Sequence, residues 1–168
     1  MPAPVIRPAV PADAGAVATI FAHYVTASVA TFEEVPPAPA AWRRRFAELA
    51  AAGLPFLIAE DEDGAVAGYA YASPWRPKPA YRHTVEDTVY ISPGRTGRGL
   101  GRALLGALLA GCEQAGARQV IAVIADTGSD ASAALHLRCG FTEAGRLAAV
   151  GYKHGRWVDT LLMQRTLG

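Results

Sequence analysis

Cysteine and lysine are scarce in this chain, and each scarcity narrows what it can be. The only cysteines are Cys112 and Cys139. Two are too few for a disulfide framework, so both are expected to be reduced, partly buried side chains packing as small hydrophobes. The histidines, His23, His83, His136 and His154, share no metal-ligand spacing with them, and no metal site is expected. Lys78 and Lys153 are the only lysines, arginine carries nearly all the positive charge, and the formal net charge is +1. A chain so near neutrality gives no electrostatic reason to expect nucleic acid or an anionic membrane as partner. No apolar run approaches the roughly 20 residues that a membrane helix needs, and Met1 to Val10 lack the apolar core of a signal peptide. Both absences lead to the expectation of a cytoplasmic protein.

What is present is a compact soluble composition, with hydrophobic residues at 51% and charged residues at 18% of 168 positions. That length suffices for one domain with a real core. No internal repeat, low-complexity tract or linker interrupts it, and residues 1–168 read as a single domain.

Val5 to Val10 reads as a strand, and Pro11, Ala12 and Asp13 open a helix to about Thr26, with Val17, Ile20, Phe21 and Tyr24 on its apolar side. Phe32 to Pro39 is a proline-rich loop. A second helix covers about Ala40 to Ala52, with Trp42, Phe46 and Leu49 on one face, Arg43 to Arg45 mostly towards solvent, and Gly53 as its stop. Phe56 to Glu60 and Val66 to Ser73 form a hairpin about Asp63-Gly64. After the prolines of Pro74 to Pro79, Thr84 to Ser92 alternates, with Val85, Val89 and Ile91 on one face and Glu86, Thr88 and Tyr90 on the other. A glycine-rich turn then opens a helix with Leu104, Leu105, Leu108, Leu109 and Cys112 inward, ending near Gly116. Gln119 to Ala125 is an apolar strand. Ser129 or Asp130 caps a short helix ending at Cys139 and Gly140, and Phe141 to Val150 and Trp157 to Thr166 are the closing strands. This order predicts an α/β (α+β) fold whose mixed, mostly antiparallel sheet is flanked by helices.

Strand, glycine-rich turn and amphipathic helix together make an anion-binding arrangement. Glycines let the backbone approach phosphate, and the first helical turn offers free N–H groups at the positive end of the helix dipole. A Walker loop needs Gly-Lys-Ser/Thr, which is absent, and a dinucleotide fingerprint needs glycine where Arg102 stands. Thr96-Gly97-Arg98-Gly99-Leu100-Gly101 resembles instead the pyrophosphate loop of the GNAT superfamily of N-acetyltransferases, usually Gln/Arg-x-x-Gly-x-Gly/Ala, and departs from it at Thr96. The chain further resembles one branch of that superfamily, the phosphinothricin and methionine sulfoximine acetyltransferases. The residues that carry this are Ala70-Tyr71-Ala72-x-Pro74-Trp75-Arg76, Ala80-Tyr81, Thr84-Val85-Glu86-x-Thr88-Val89-Tyr90-Ile91, Leu135-His136-x-x-x-Gly140-Phe141 and Gly151-Tyr152-Lys153-His154-Gly155-x-Trp157-x-Asp159.

The resemblance implies the acyl-CoA N-acyltransferase fold and an enzyme that moves an acetyl group from acetyl-CoA to the amine of an amino-acid-like small molecule, with no metal. Such a reaction must deprotonate an ammonium, stabilise charge on the thioester oxygen and release a thiolate. Glu86 matches the family's proposed base. Family members splay its strand at a bulge, so the backbone near Val89, Tyr90 and Ile91 is expected to meet the thioester. His136 matches the branch's histidine near the sulfur and is read as catalytic or substrate-orienting. Arg95, Thr96, Gly97, Arg98, Gly99, Leu100, Gly101 and Arg102 would hold the diphosphate, with Arg95, Arg98 and Arg102 able to supply the cation missing at Thr96. Ser132 would join them, as would Ser129, which stands where the family has a CoA-contacting asparagine.

Trp75, Arg76, Lys78, Tyr81 and Arg82 form an aromatic–basic cluster directly before Glu86, suited to an anionic substrate. Phe32, Glu33 and Tyr71 would complete that pocket. Gly151 to Asp159 reads as the turn between the last strands and could line either the site or the interface of a homodimer, the common state in the family. A protein or peptide acetyltransferase on the same fold is disfavoured by the basic loop, and a non-catalytic acyl-CoA-binding module by the presence of Glu86 and His136. Resistance to a toxic amino acid, a herbicide among them, is one biological role open to such an enzyme.

Overall fold

The computed structural model describes residues 2–168. Its elements run β1 (Val5–Pro8), α1 (Ala14–Ala27), α2 (Pro39–Ala51), β2 (Phe56–Glu60), β3 (Val66–Pro74), β4 (Thr84–Ile91), α3 (Leu100–Gln114), β5 (Gln119–Ala125), α4 (Ala131–Arg138), β6 (Thr142–Lys153) and β7 (Arg156–Thr166). Single 3₁₀ turns, Pro11–Asp13 and Pro79–Tyr81, precede α1 and β4.

The strands form one seven-stranded sheet in the order β1-β2-β3-β4-β5-β7-β6. Every pairing is antiparallel except β4 with β5, which is parallel. A parallel neighbour needs a crossover, and α3 supplies it. Period-two alternation then sorts the side chains of β4. Val85, Val89 and Ile91 pack with Leu100, Leu104, Leu105, Leu108, Leu109 and Cys112 of α3. On the opposite face Tyr90 joins an aromatic cluster of Phe21, Trp42, Phe46, Phe56, Tyr69 and Tyr71 under α1 and α2. Each fully buried leucine of α3 is worth about 2–3 kcal/mol of transfer free energy, so this helix is the main anchor of the glycine turn that precedes it.

Two expectations about strand ends are corrected. β1 stops at Pro8: Ala9 N makes one last bond to Phe56 O at 2.9 Å, and the chain then leaves the sheet for the 3₁₀ turn Pro11–Asp13. The last strands are longer than the sequence pattern shows. Gly151 to Lys153 belong to β6 and Arg156 to Asp159 to β7, leaving only His154-Gly155 as the turn. Tyr152 and Trp157 pair across the strands with ring centroids 4.8 Å apart, extending the hairpin into what reads as loop.

A candidate active site where two parallel strands part

β4 and β5 are paired only from Thr84↔Gln119 to Glu86↔Ile121. Beyond that they diverge, although β4 continues to Ile91 and β5 to Ala125. The expected bulge is not how the strand opens. The β3–β4 register is unbroken from Gly68↔Ile91 to Pro74↔Val85, and the gap arises from the loss of β5. Trp75 N donates to Thr84 O and Ser92 N donates to Ala67 O, so ladder alternation turns the backbone of the even-numbered β4 residues towards β3. The N–H and C=O groups of Asp87, Val89 and Ile91 therefore face the gap. One is already taken: the Tyr24 hydroxyl donates to Ile91 O at 2.5 Å.

The gap is the floor of a cavity of about 720 Å³. At one end its wall is Thr96, Gly97 and Gly101 of the turn into α3, with Ser129 and Ser132 of α4's start. At the other it is Phe32, Trp42, Arg45 and Tyr71, and Glu86 to Ile91 run between them. Gly97 and Gly99 hold φ of +75° and +79°, a conformation that favours glycine. Among the described residues none of the amides from Thr96 to Arg102 donates to another backbone carbonyl. They form a row of free donors at the N-terminus of α3, as a diphosphate cradle requires. A Cβ on Gly101 would stand 3.2 Å from Leu135 Cδ2, so this glycine also lets α3 and α4 approach closely. Arg95 is tied to Asp61 in an ion pair, while Arg98 and Arg102 are exposed. Ser129 Oγ accepts from Ala131 N at 3.3 Å.

Glu86 is half-buried on the aromatic face of β4. Burial first, and then the charge of Asp87, raise its carboxyl above the ordinary value. A raised carboxyl is a stronger base towards an ammonium. His136 is buried on the other face and lines the same cavity. Its ring stands edge-on to Phe141 at 4.8 Å. Nε2 meets Asp87 Oδ2 at 2.7 Å and Nδ1 meets Ser132 O at 2.7 Å. Both partners are acceptors, so the ring is satisfied as an imidazolium donating two bonds. Burial works against that charge, but the Asp87 carboxylate and the Ser132 carbonyl outweigh it and hold the pKa above its usual value.

Asp87 escapes the sequence reading, though a signal exists. It occupies the strand face that otherwise carries Val85, Val89 and Ile91, and a carboxylate in such a row must find a partner. The loop between α1 and α2 is fixed from an unexpected side. Lys153 Nζ donates to Thr31 O at 2.8 Å, and a Cβ on Gly151 would fall inside the Phe32 ring. The Gly151–Asp159 segment thus supports the cavity wall with Gly151 and Lys153, while Tyr152 and Trp157 remain exposed. Trp75, Arg76, Lys78 and Tyr81 lie on the approach to β4, outside the cavity lining, and of these only Trp75 is partly covered.

Comparison with known proteins gives this geometry its context. Residues 20–141 match the acetyltransferase (GNAT) family. The phosphinothricin N-acetyltransferase of Alcaligenes faecalis is 52% identical over 92% of this chain and 78% of its own length. The L-methionine sulfoximine/L-methionine sulfone acetyltransferase of Pseudomonas aeruginosa is 38% identical over 96% of this chain and 94% of its own. A phosphinothricin acetyltransferase of the GNAT superfamily from Sinorhizobium meliloti, solved in complex with acetyl-CoA, superposes with a TM-score of 0.94 at 47% identity, covering 98% of this chain and 89% of its own. The chain belongs to the acetyltransferase (GNAT) family and is an N-acetyltransferase.

Proposed function

We propose that residues 1–168 work as one domain that transfers the acetyl group of acetyl-CoA to the α-amine of a small amino acid of the phosphinothricin, methionine sulfoximine or methionine sulfone type. The observation that carries this is the single cavity joining the free amides of the glycine turn to Glu86 and on to an aromatic pocket. The donor set suits the coenzyme, because a row of unpaired N–H groups is what a diphosphate needs. Acetyl-CoA supplies an activated acyl carbon, and the net reaction forms a C–N bond and breaks a C–S bond.

The residues divide the chemistry. Glu86 takes the proton of the ammonium, directly or through water, its raised pKa making it a better acceptor. The gap-facing N–H groups of Val89 and Ile91 are placed to donate to the thioester oxygen as charge grows there. Val89, Tyr90 and Ile91, the loop from Arg95 to Arg102, Ser129 and Ser132 hold the coenzyme. His136 has spent both N–H bonds on Asp87 and Ser132, so its service to the departing thiolate is the positive charge it keeps beside the cleft. Phe32 and Tyr71 wall the amine pocket. On the approach to Glu86, Arg76 and Lys78 attract the anionic substrate as it enters, with Trp75 carrying Arg76 over its ring and Tyr81 flanking the entrance.

We further propose a cytoplasmic homodimer, and resistance to phosphinothricin as a herbicide in cells that carry it. A thiol-release assay with acetyl-CoA over a panel of amino acids tests the activity. Turnover is expected on phosphinothricin, methionine sulfoximine or methionine sulfone. Acetylation of peptide N-termini alone, or coenzyme binding without turnover on any amine, overturns it.

A further inference from the structure

Among the described residues that line the cavity, Arg45 is the one arginine or lysine. Helix α2 places it three residues beyond Trp42 and one before Phe46, on the flank of the buried face, where it lines the open cavity while staying solvent-exposed like Arg43 and Arg44. Its guanidinium lies 5.6 Å from the ring centroid of Tyr71 and 6.0 Å from that of Trp42. Nη1 donates to the Tyr71 hydroxyl at 3.4 Å. Two aromatic faces and a hydroxyl thus orient the cation, yet among the described residues no carboxylate lies within ion-pair distance of it. Glu33 shares the cavity wall without reaching it. An oriented guanidinium facing a cavity with no internal partner is an unfilled receptor for an oxyanion.

Register fixes where that receptor stands relative to the base. Tyr71 pairs with Thr88 and Ser73 with Glu86, so Tyr71 and Glu86 are diagonal neighbours on one face, about 7–8 Å apart at Cα. Side chains on one sheet face stand roughly parallel, so the Tyr71 hydroxyl that Arg45 meets is held about one such diagonal from the Glu86 carboxylate, farther than an α-carboxylate lies from its own amine. We infer that Arg45 is a specificity-determining residue that binds the anionic group at the end of the amino-acid side chain, so that the enzyme favours substrates whose side chain ends in an oxyanion over neutral isosteres. This rests on the amino-acid reading given above.

The test compares phosphinothricin, whose side chain ends in a charged phosphinate, with methionine sulfone, whose side chain ends in a neutral sulfone. In R45Q the KM for phosphinothricin is expected to rise at least tenfold with kcat within about threefold, while the KM for methionine sulfone moves less than threefold. R45K, which keeps the charge without the planar fork, should fall between. An equal rise for both substrates would place Arg45 on the α-carboxylate and overturn the inference, as would no rise for either. Should R45Q fail to fold, judged by loss of the acetyl-CoA thermal shift, R45K decides on the same ratio of KM values. If the unaltered protein acetylates none of phosphinothricin, methionine sulfoximine and methionine sulfone, the proposed function fails, a result distinct from a failure of Arg45 alone.

Discussion

Glu86 and Asp87 are sequence neighbours on opposite faces of one strand, and their surroundings set opposite tasks. Burial raises the Glu86 carboxyl, so its folded form titrates above the ordinary value near 4.5. Such a group binds protons more readily folded than unfolded, and its ionised form opposes folding once the pH exceeds that raised pKa. Glu86→Gln is therefore expected to lower kcat at least tenfold and leave acetyl-CoA affinity nearly unchanged. Its Tm at pH 7 should equal or exceed that of the unaltered protein, with the difference vanishing below pH 4.5. A pH-rate profile checks the same point: the acid limb of kcat/KM should lie above 4.5 and disappear in the variant, and unaltered turnover would remove Glu86 from the reaction.

Asp87 does the reverse, for its carboxylate is what keeps His136 charged. Their side chains are 2% and 5% exposed, and breaking a pair so buried costs about 3 kcal/mol or more. The His136 pKa is raised, so the pair's contribution is complete below the ordinary value of 6.5 and fades as pH climbs through the folded one. Asp87→Asn should lower urea stability by about 3 kcal/mol at pH 6, and the difference should shrink as the pH is raised through the His136 titration, followed on its ring signals by NMR. A difference that stays constant through that titration would mean that Asp87 does not hold the His136 charge.

At the scale of elements the site is a consequence of two local decisions. The glycine turn halts β4 and starts α3, and the early end of the β4–β5 ladder leaves amides without partners. The turn was legible in the sequence because glycine spacing and the leucine period of α3 are local signals. The splay was not, because it depends on where a strand thirty residues further on stops pairing, and the same holds for the pinning of Thr31 and Phe32 by β6. Arg45 sits between these cases: its spacing from Trp42 and Phe46 sets it beside the buried face, but a run of three arginines reads as a solvated surface, and Arg45 is at once exposed and part of the cavity lining. The β6 contact carries a prediction of its own. Any side chain at Gly151 must displace the Phe32 ring, which walls the amine end. Gly151→Ala is expected to raise the KM for the amine several-fold while the Kd of acetyl-CoA, whose contacts lie at the opposite end, stays within twofold. Parallel losses in both would mean that the hairpin supports the whole fold rather than the loop.

The molecule as a whole leaves one feature that its own fold does not use. β6 is one of the two edge strands of the sheet and is twelve residues long, broken by register shifts between Glu143 and Gly145 and between Leu147 and Gly151, a length unusual for an edge. Leu147, Val150, Tyr152 and Trp157 on this hairpin are 47%, 52%, 57% and 68% exposed. Some of its polar groups are accounted for internally: Asp159 accepts from Ala149 N at 2.8 Å where φ turns to +50°, and Arg146 lies 3.4 Å from Asp159. The apolar groups stay largely exposed even though Tyr152 and Trp157 pair with each other. A second copy would cover them at no cost in new chemistry, and a two-fold axis needs only that one patch be complementary to itself. Light scattering is expected to give twice the chain mass of 17.6 kDa. Trp157→Glu, which within the chain removes only the exposed ring pair with Tyr152, should return the mass to a single chain while the Tm falls by that pair and by the share the interface contributes. An unaltered protein that runs as a single chain at tens of micromolar would leave the hairpin's apolar surface for some other partner and remove the homodimer.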